Sequence, residues 1–129
     1  RNFFSITGMV ISENYELPKI LWLRTNEPGT YEKTFCFLQS KDFIVQKLTG
    51  EFVTESSDAQ YYHTYDILRG GWSKQLLDIF GLDMEKFPRL IRAGTYVGGV
   101  RAGSTRGRWR APDRRCVYQP RHIKLAQPH

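Results

Sequence analysis

The chain changes character near Arg101. Residues 1–100 carry 11 Lys and Arg against 12 Asp and Glu, a net of −1. Residues 101–129 carry eight Lys and Arg against one acid, Asp113, a net of +7. This break limits what can fold, because a packed core needs apolar residues at regular spacing and those lie in the first hundred residues. Beyond Arg101, the run Arg106-Gly107-Arg108-Trp109-Arg110 and the pair Arg114-Arg115 interrupt any periodicity. Pro112, Pro120 and Pro128 break helices and strands. An irregular basic C-terminal tail over 101–129 is therefore expected. The formal net charge of +6 belongs to that tail and not to the body, which argues against nucleic-acid binding as the role of the body.

The 129 residues fall in the range of one domain, and such a chain buries roughly two-thirds of its unfolded surface. The apolar fraction of 40% and charged fraction of 25% match an ordinary globular protein. No apolar run approaches the roughly 20 residues of a membrane helix, so no membrane partner is expected. No signal peptide is visible, and the chain opens at Arg1, as if partway into a gene product or after processing. Cys36 and Cys116 form no CxxC pair. Buried or free thiols are expected, which favours a reducing, cytoplasmic location.

The body alternates helices, short strands and turns, an α/β or α+β pattern. Phe3, Phe4 and Ile6 form an apolar segment that ends at Thr7-Gly8. A helix is expected to begin near Pro18, which suits a first helical position, and to end near Asn26, ahead of Pro28. Phe35–Leu38 is expected as a buried strand. Ser40 is the expected N-cap of a helix over 42–49, with Ile44 and Leu48 inward and Gly50 as its left-handed cap. Shorter pieces are expected at 51–54 (strand), 56–62 (helical) and 65–68 (extended), with a turn at Gly70-Gly71. Ser73 is expected to cap a helix through Phe80, with Leu76, Leu77 and Phe80 inward and Gly81 as its stop. Asp83 starts a short helix before Pro88, and Thr95–Val97 is expected to be extended.

Chemistry is sparse. No hydrolase elbow, zincin motif, P-loop, Rossmann glycine pattern or EF-hand loop is present. His63, His122 and His129 lack metal-ligand spacing. His63 is expected to be a hydrogen-bonded structural histidine, Trp22 a core residue, and the pairs Glu13/Glu16 and Asp83/Glu85 surface or capping carboxylates.

Several segments in order resemble the FGGY carbohydrate kinases. Ile6-Thr7-Gly8 resembles a Thr-Gly turn of that family. Lys19-Ile20-Leu21-Trp22-Leu23-Arg24-Thr25-Asn26 resembles the later half of its first signature. Ser40-Lys41-Asp42-Phe43-Ile44, Lys47-Leu48-Thr49-Gly50-Glu51 and Val53-Thr54-Glu55-Ser56-Ser57-Asp58-Ala59 follow in the family's order. Tyr65-Asp66-Ile67, Trp72-Ser73, Leu76-Leu77, Gly81-Leu82-Asp83, Phe87-Pro88 and Val97-Gly98 complete the succession. Xylulokinase-like members resemble it best. The signature departs at Asn14, where relatives carry an aromatic or small residue, and at Glu16, where they carry Pro, Ser or Thr. The substrate contact that some relatives make at the Asn14 position is not carried over, and Tyr15 beside it is the candidate substitute.

The resemblance implies a partial actin-like, ribonuclease-H-like first domain of a sugar kinase over 1–100. The motif positions Lys19, Trp22, Asp42, Thr49, Gly50, Thr54, Asp58, Asp66 and Trp72 are expected to be structural. Complete members use ATP and Mg, with the sugar and nucleotide in a cleft between two domains. The phosphate-binding Asp-x-Gly-Thr turn, the catalytic aspartate in its Gly-Gly-Asp context and the nucleotide domain are not found in this sequence. No catalytic residue and no metal ligand are therefore assigned, and the chain alone is expected to be inactive. The tail does not resemble the family's continuation and has the look of a shifted reading frame. Uncovered apolar surface would favour a homo-oligomer. The alternative is a small nucleic-acid-binding protein using Arg106, Arg108, Trp109, Arg110, Arg114, Arg115 and Tyr118 of the tail. Steeply salt-dependent binding, abolished by deleting 101–129, is what that alternative requires.

Overall fold

A computed structural model describes residues 1–102 and the backbone of 116–118. The first helix, α1 (Phe3–Thr7), is held by the Asn2 side chain, which accepts from the Ser5 N–H, and ends on left-handed Gly8. The sequence suggested only an apolar segment here, because five residues are too few to display a helical period. The long helix α2 (Glu16–Asn26) starts two residues before the expected Pro18. Pro18 then sits in the first turn, where a missing N–H removes no helical bond. Leu17, Ile20 and Leu23 of α2 are buried, the one-face spacing of a helix on a core. A short helix α3 (Pro28–Lys33) follows and buries Tyr31.

Strand β1 (Cys36–Leu38) is buried at every position. Helix α4 (Ser40–Thr49) ends on Gly50 at φ 84°, as expected, but its N-cap is Gln39 and Ser40 is its first helical residue. The phase of α4 also differs from expectation. Ile44 is 51% exposed and Leu48 only half-buried, while Asp42 is buried. Phe43 turns instead toward Cys36 and Leu38. Strand β2 (Val53–Glu55), helix α5 (Ser56–Ala59) and a 3₁₀ turn (Gln60–Tyr62) follow. A hairpin is formed by β3 (Tyr65–Asp66) and β4 (Gly71–Trp72). Helix α6 (Lys74–Phe80) is capped by Ser73, which accepts from the Leu76 N–H, and stops at left-handed Gly81. Asp83 caps a 3₁₀ turn (Met84–Lys86). Each of these last three caps matches its sequence signal.

Strand β5 (Arg89–Ile91) was not anticipated, and Thr95–Val97 is not a strand. The real strand follows Pro88 directly, where its first residue Arg89 donates its N–H to the Phe52 carbonyl. Among the described residues three two-stranded sheets result: β2 pairs parallel with β5, β3 antiparallel with β4, and β1 parallel with β6 (Cys116–Tyr118). The strand β6 lies within the segment expected to be irregular. The remainder of that segment, with its Arg-rich run, lies outside the described residues.

The core gathers Leu17, Ile20, Leu23, Tyr31, Phe37, Tyr62, Leu77, Leu82 and Phe87. Aromatic rings dominate it. Tyr62 meets Trp72 edge-on at 5.3 Å and Phe87 at 5.7 Å, and Trp72 lies 5.2 Å from Phe87. Their polar ends are satisfied: Tyr62 Oη donates to the Phe37 carbonyl at 2.9 Å, and Trp72 Nε1 to the Pro88 carbonyl at 3.0 Å. Arg24 reaches from α2 to the carbonyls of Phe80 and Gly81 at the end of α6, where the helix dipole favours a cation. A Tyr62→Phe substitution removes the hydroxyl and leaves the buried Phe37 carbonyl without its donor. It is expected to lower stability by about 1–3 kcal/mol. Urea unfolding measures this, and an unchanged midpoint would refute the role given to the hydroxyl.

Candidate functional site

The residues singled out by sequence fall in four places. Tyr15 is the N-cap residue of α2 and lies half-buried. Its ring meets the edge of His63 at 4.6 Å and lies 5.4 Å from Tyr61. His63 is fully buried in the left-handed region at φ 57°. Neither ring nitrogen makes a hydrogen bond of regular geometry, although the Val10 backbone lies close enough to act on the ring. Burial holds the imidazole below its ordinary value, offset in part by the Val10 backbone. Phe3 closes its other side at 5.4 Å. His63 is thus a packing element between aromatic rings.

Lys19 and Trp22 lie one turn apart on α2. Lys19 Nζ donates to the Asn14 carbonyl at 3.2 Å and stands 3.9 Å from Glu16. It therefore fastens the segment leading into the helix. Trp22 is 44% exposed and not the core residue expected. The buried face of α2 is the Leu17, Ile20 and Leu23 line, and Trp22 falls off it by one residue. At the far end of α4, Thr49 Oγ1 donates to the Val45 carbonyl at 2.8 Å and accepts from the Glu51 N–H at 3.2 Å. Gly50 beside it needs the left-handed conformation, and an added Cβ would meet Arg101.

Asp42, Thr54 and Asp58 converge where α4, β2 and α5 meet. Asp42 and Thr54 are 2% exposed. Lys41 bridges this junction, with Nζ 2.7 Å from Glu55 and 3.0 Å from Asp58. The Lys41 ammonium, helped by Ser57, pushes the Glu55 carboxyl down to about 2. Burial drives Asp42 the other way, up to about 6, against the opposing pull of Thr54. The Thr54 hydroxyl stands near without hydrogen-bonding geometry. In the hairpin, burial alone would raise Asp66. The Arg1 guanidinium at 2.9 Å and the Arg69 and Leu68 amides outweigh it and hold the carboxyl below its usual range. Trp72 belongs to the core.

The nine motif residues are therefore spread over the body, with only Asp42, Thr54 and Asp58 brought together. Among the described residues no group of three or more His, Cys, Asp or Glu is placed to hold a metal ion, and no helix is long and apolar enough to cross a membrane. Sequence reasoning missed Arg24, Lys41 and Glu55. Their roles depend on partners 14 to 57 positions away in the chain, which local patterns do not show.

This arrangement of α2, β1, α4, β2 and the β3–β4 hairpin belongs to a known class of domain. Residues 1–108 match the N-terminal domain model of the FGGY family of carbohydrate kinases. The chain belongs to this family. It is 35% identical over 102 residues to a xylulose kinase of Lactococcus lactis subsp. lactis (strain IL1403), covering 79% of this chain and 20% of that protein. It is 30% identical over 106 residues to an L-fuculokinase of Salmonella typhi, covering 82% and 22%. In structure it resembles a xyloylose kinase from Brucella ovis with a TM-score of 0.72 at 30% identity, covering 78% of this chain and 21% of that one. The chain spans about a fifth of the length of the curated relatives it matches.

Lys41 is half exposed, so its bridge contributes modestly. Lys41→Met is expected to cost less than about 1 kcal/mol and to return the Glu55 carboxyl toward its ordinary value. Because Glu55 is depressed in the folded chain, its contribution is present at neutral pH and lost only as pH falls toward about 2. Titration of the Glu55 side-chain carbon by NMR reads this directly; an unchanged Glu55 in Lys41→Met would contradict it.

Proposed function

We propose that this chain is the sugar-side portion of an ATP-dependent carbohydrate kinase that phosphorylates a hydroxyl of a sugar or polyol, xylulose-like by its resemblance to several xylulose kinases. The observation that carries this reading is the family match over residues 1–108, together with identities of 31–35% to several xylulose kinases and a putative sugar kinase. In the complete enzyme the partners are the sugar and ATP with Mg. Among the described residues no group of three or more His, Cys, Asp or Glu is placed together to hold a metal ion, and no residue of this chain is proposed to hold the nucleotide. Transfer depends on positioning and on charge stabilisation around the phosphate, and the elements that supply them are absent from this sequence. A cytoplasmic location fits the cysteine usage.

Tyr15 is the residue of this chain proposed to touch sugar. Its ring is half-buried beside Tyr61 and braced from behind by His63, so little side-chain freedom is lost when a ligand meets it. Exposed apolar side chains, among them Val10, Ile11, Trp22, Leu68 and Ile79, support self-association of the isolated chain.

Purified chain is expected to show no sugar-dependent ATP consumption in a coupled assay with xylulose, and turnover above the protein-free rate would overturn the inactivity. Sedimentation is expected to give species heavier than the monomer. NMR shifts induced by xylulose are expected to include Tyr15 and to disappear in Tyr15→Ala; xylulose shifts that persist in that variant would remove Tyr15 from the proposal.

A further inference from the structure

Helix α4 meets the body with a polar stripe. Asp42 and Gln46, four residues apart, share a helix face, and Thr54 on β2 stands close to Asp42. Asp42 Oδ2, Gln46 Oε1 and Thr54 Oγ1 are all buried without a hydrogen-bond partner. Three orphaned oxygens on the joint between one helix and one strand are unusual, because buried polar atoms are nearly always paired. An ionised Asp42 would be a carboxylate in a dry site with little compensation.

The charged and titratable groups around the joint do not remove that cost. On α4, the neighbouring Lys41 commits its ammonium to Glu55 at the end of β2 and to Asp58 on α5. Asp58 adds negative charge near Asp42, and the 3₁₀ turn presents Tyr62, whose hydroxyl is bonded to the Phe37 carbonyl. Cys36 on β1 and Glu16 on α2 lie near Tyr62. Thr54, the Lys41 charge and the Gln39 N–H at the start of α4 all favour the carboxylate, but burial outweighs them. A proton on Asp42 would turn one orphaned acceptor into a donor, with the unfilled Thr54 oxygen beside it.

We propose that Asp42 is a proton-operated latch between α4 and β2: with its carboxyl neutral the joint is closed, and with it ionised the joint loosens. The carboxyl is raised in the folded chain, so its contribution is fully present below the unfolded value of about 4. It is lost as pH rises through about 6. His63 has the opposite sign, since its imidazole is held low and its contribution is lost as pH falls. The two effects overlap in pH, so total stability does not isolate Asp42.

A comparison of Asp42→Asn with the wild-type chain does isolate it. The full chain is unfolded in urea at about pH 5 and about pH 7.5. The folding equilibrium constant of Asp42→Asn, relative to wild type, is expected to rise on the order of tenfold between these conditions. A ratio that does not change with pH overturns the latch. Should Asp42→Asn fail to fold, the side-chain carboxyl carbon of Asp42 in isotope-labelled wild-type chain is titrated by NMR. A midpoint near the raised value supports the latch, and a midpoint near about 4 overturns it. Amide exchange then reads the joint itself: α4 protection is expected to fall between the two conditions in wild type by about the same factor that separates it from Asp42→Asn.

Discussion

The hydroxyl of Tyr62 on the Phe37 carbonyl is the contact on which the body turns. Tyr62 is fully buried, and its ring links Trp72 and Phe87 while its oxygen reaches β1. Burying a phenol is favourable only when the oxygen finds a partner. Here the partner is a strand carbonyl, so the same side chain supplies both the apolar mass of the core and one edge bond of β1. The chain arranges α2, α6 and the β5 approach around that ring. Among the described residues the strands pair only two by two, and isolated two-stranded pairs are marginal in water. Aromatic packing between them does what a wide sheet would do elsewhere.

Caps were the most legible feature of the sequence. Ser73 with Gly81, Asp83 before its turn, and Gly50 after α4 each act through atoms within four residues of themselves, so the sequence displays both halves of the interaction. The fold class and the family were legible from the order of weak motifs. The phase of α4 was not. Ile44 and Leu48 make an apolar i, i+4 pair, yet the helix turns Asp42 inward, because Phe43 is taken by Cys36 and Leu38. Trp22 misled for a related reason: size and apolarity favour burial, but position on the helix decides, and Leu17, Ile20 and Leu23 already occupy that face.

The candidate site was legible as a set of motif positions and not as chemistry. Asp42, Thr54 and Asp58 do come together, while Lys19, Thr49 and Asp66 each secure a different turn. His63 carried no sequence signal of its state, since enclosure by Phe3 and Tyr15 is a property of what surrounds it. The chain belongs to the FGGY family, and the order of these positions, more than the chemistry of any one of them, is what the sequence displays.

The parallel pairing of β1 with β6 joins Cys36 to Cys116 in register, 80 positions apart. The elements from α4 to β5 lie between them, while α1, α2 and α3 precede β1. During synthesis from the N-terminus, β1 emerges long before its partner, and the rest of the core must assemble beside an unpaired strand edge. Closing so large a loop adds conformational entropy cost late, and contacts of such separation slow folding. That pairing therefore makes the closure of β1 a long-range event that the local helices and turns of the body do not share.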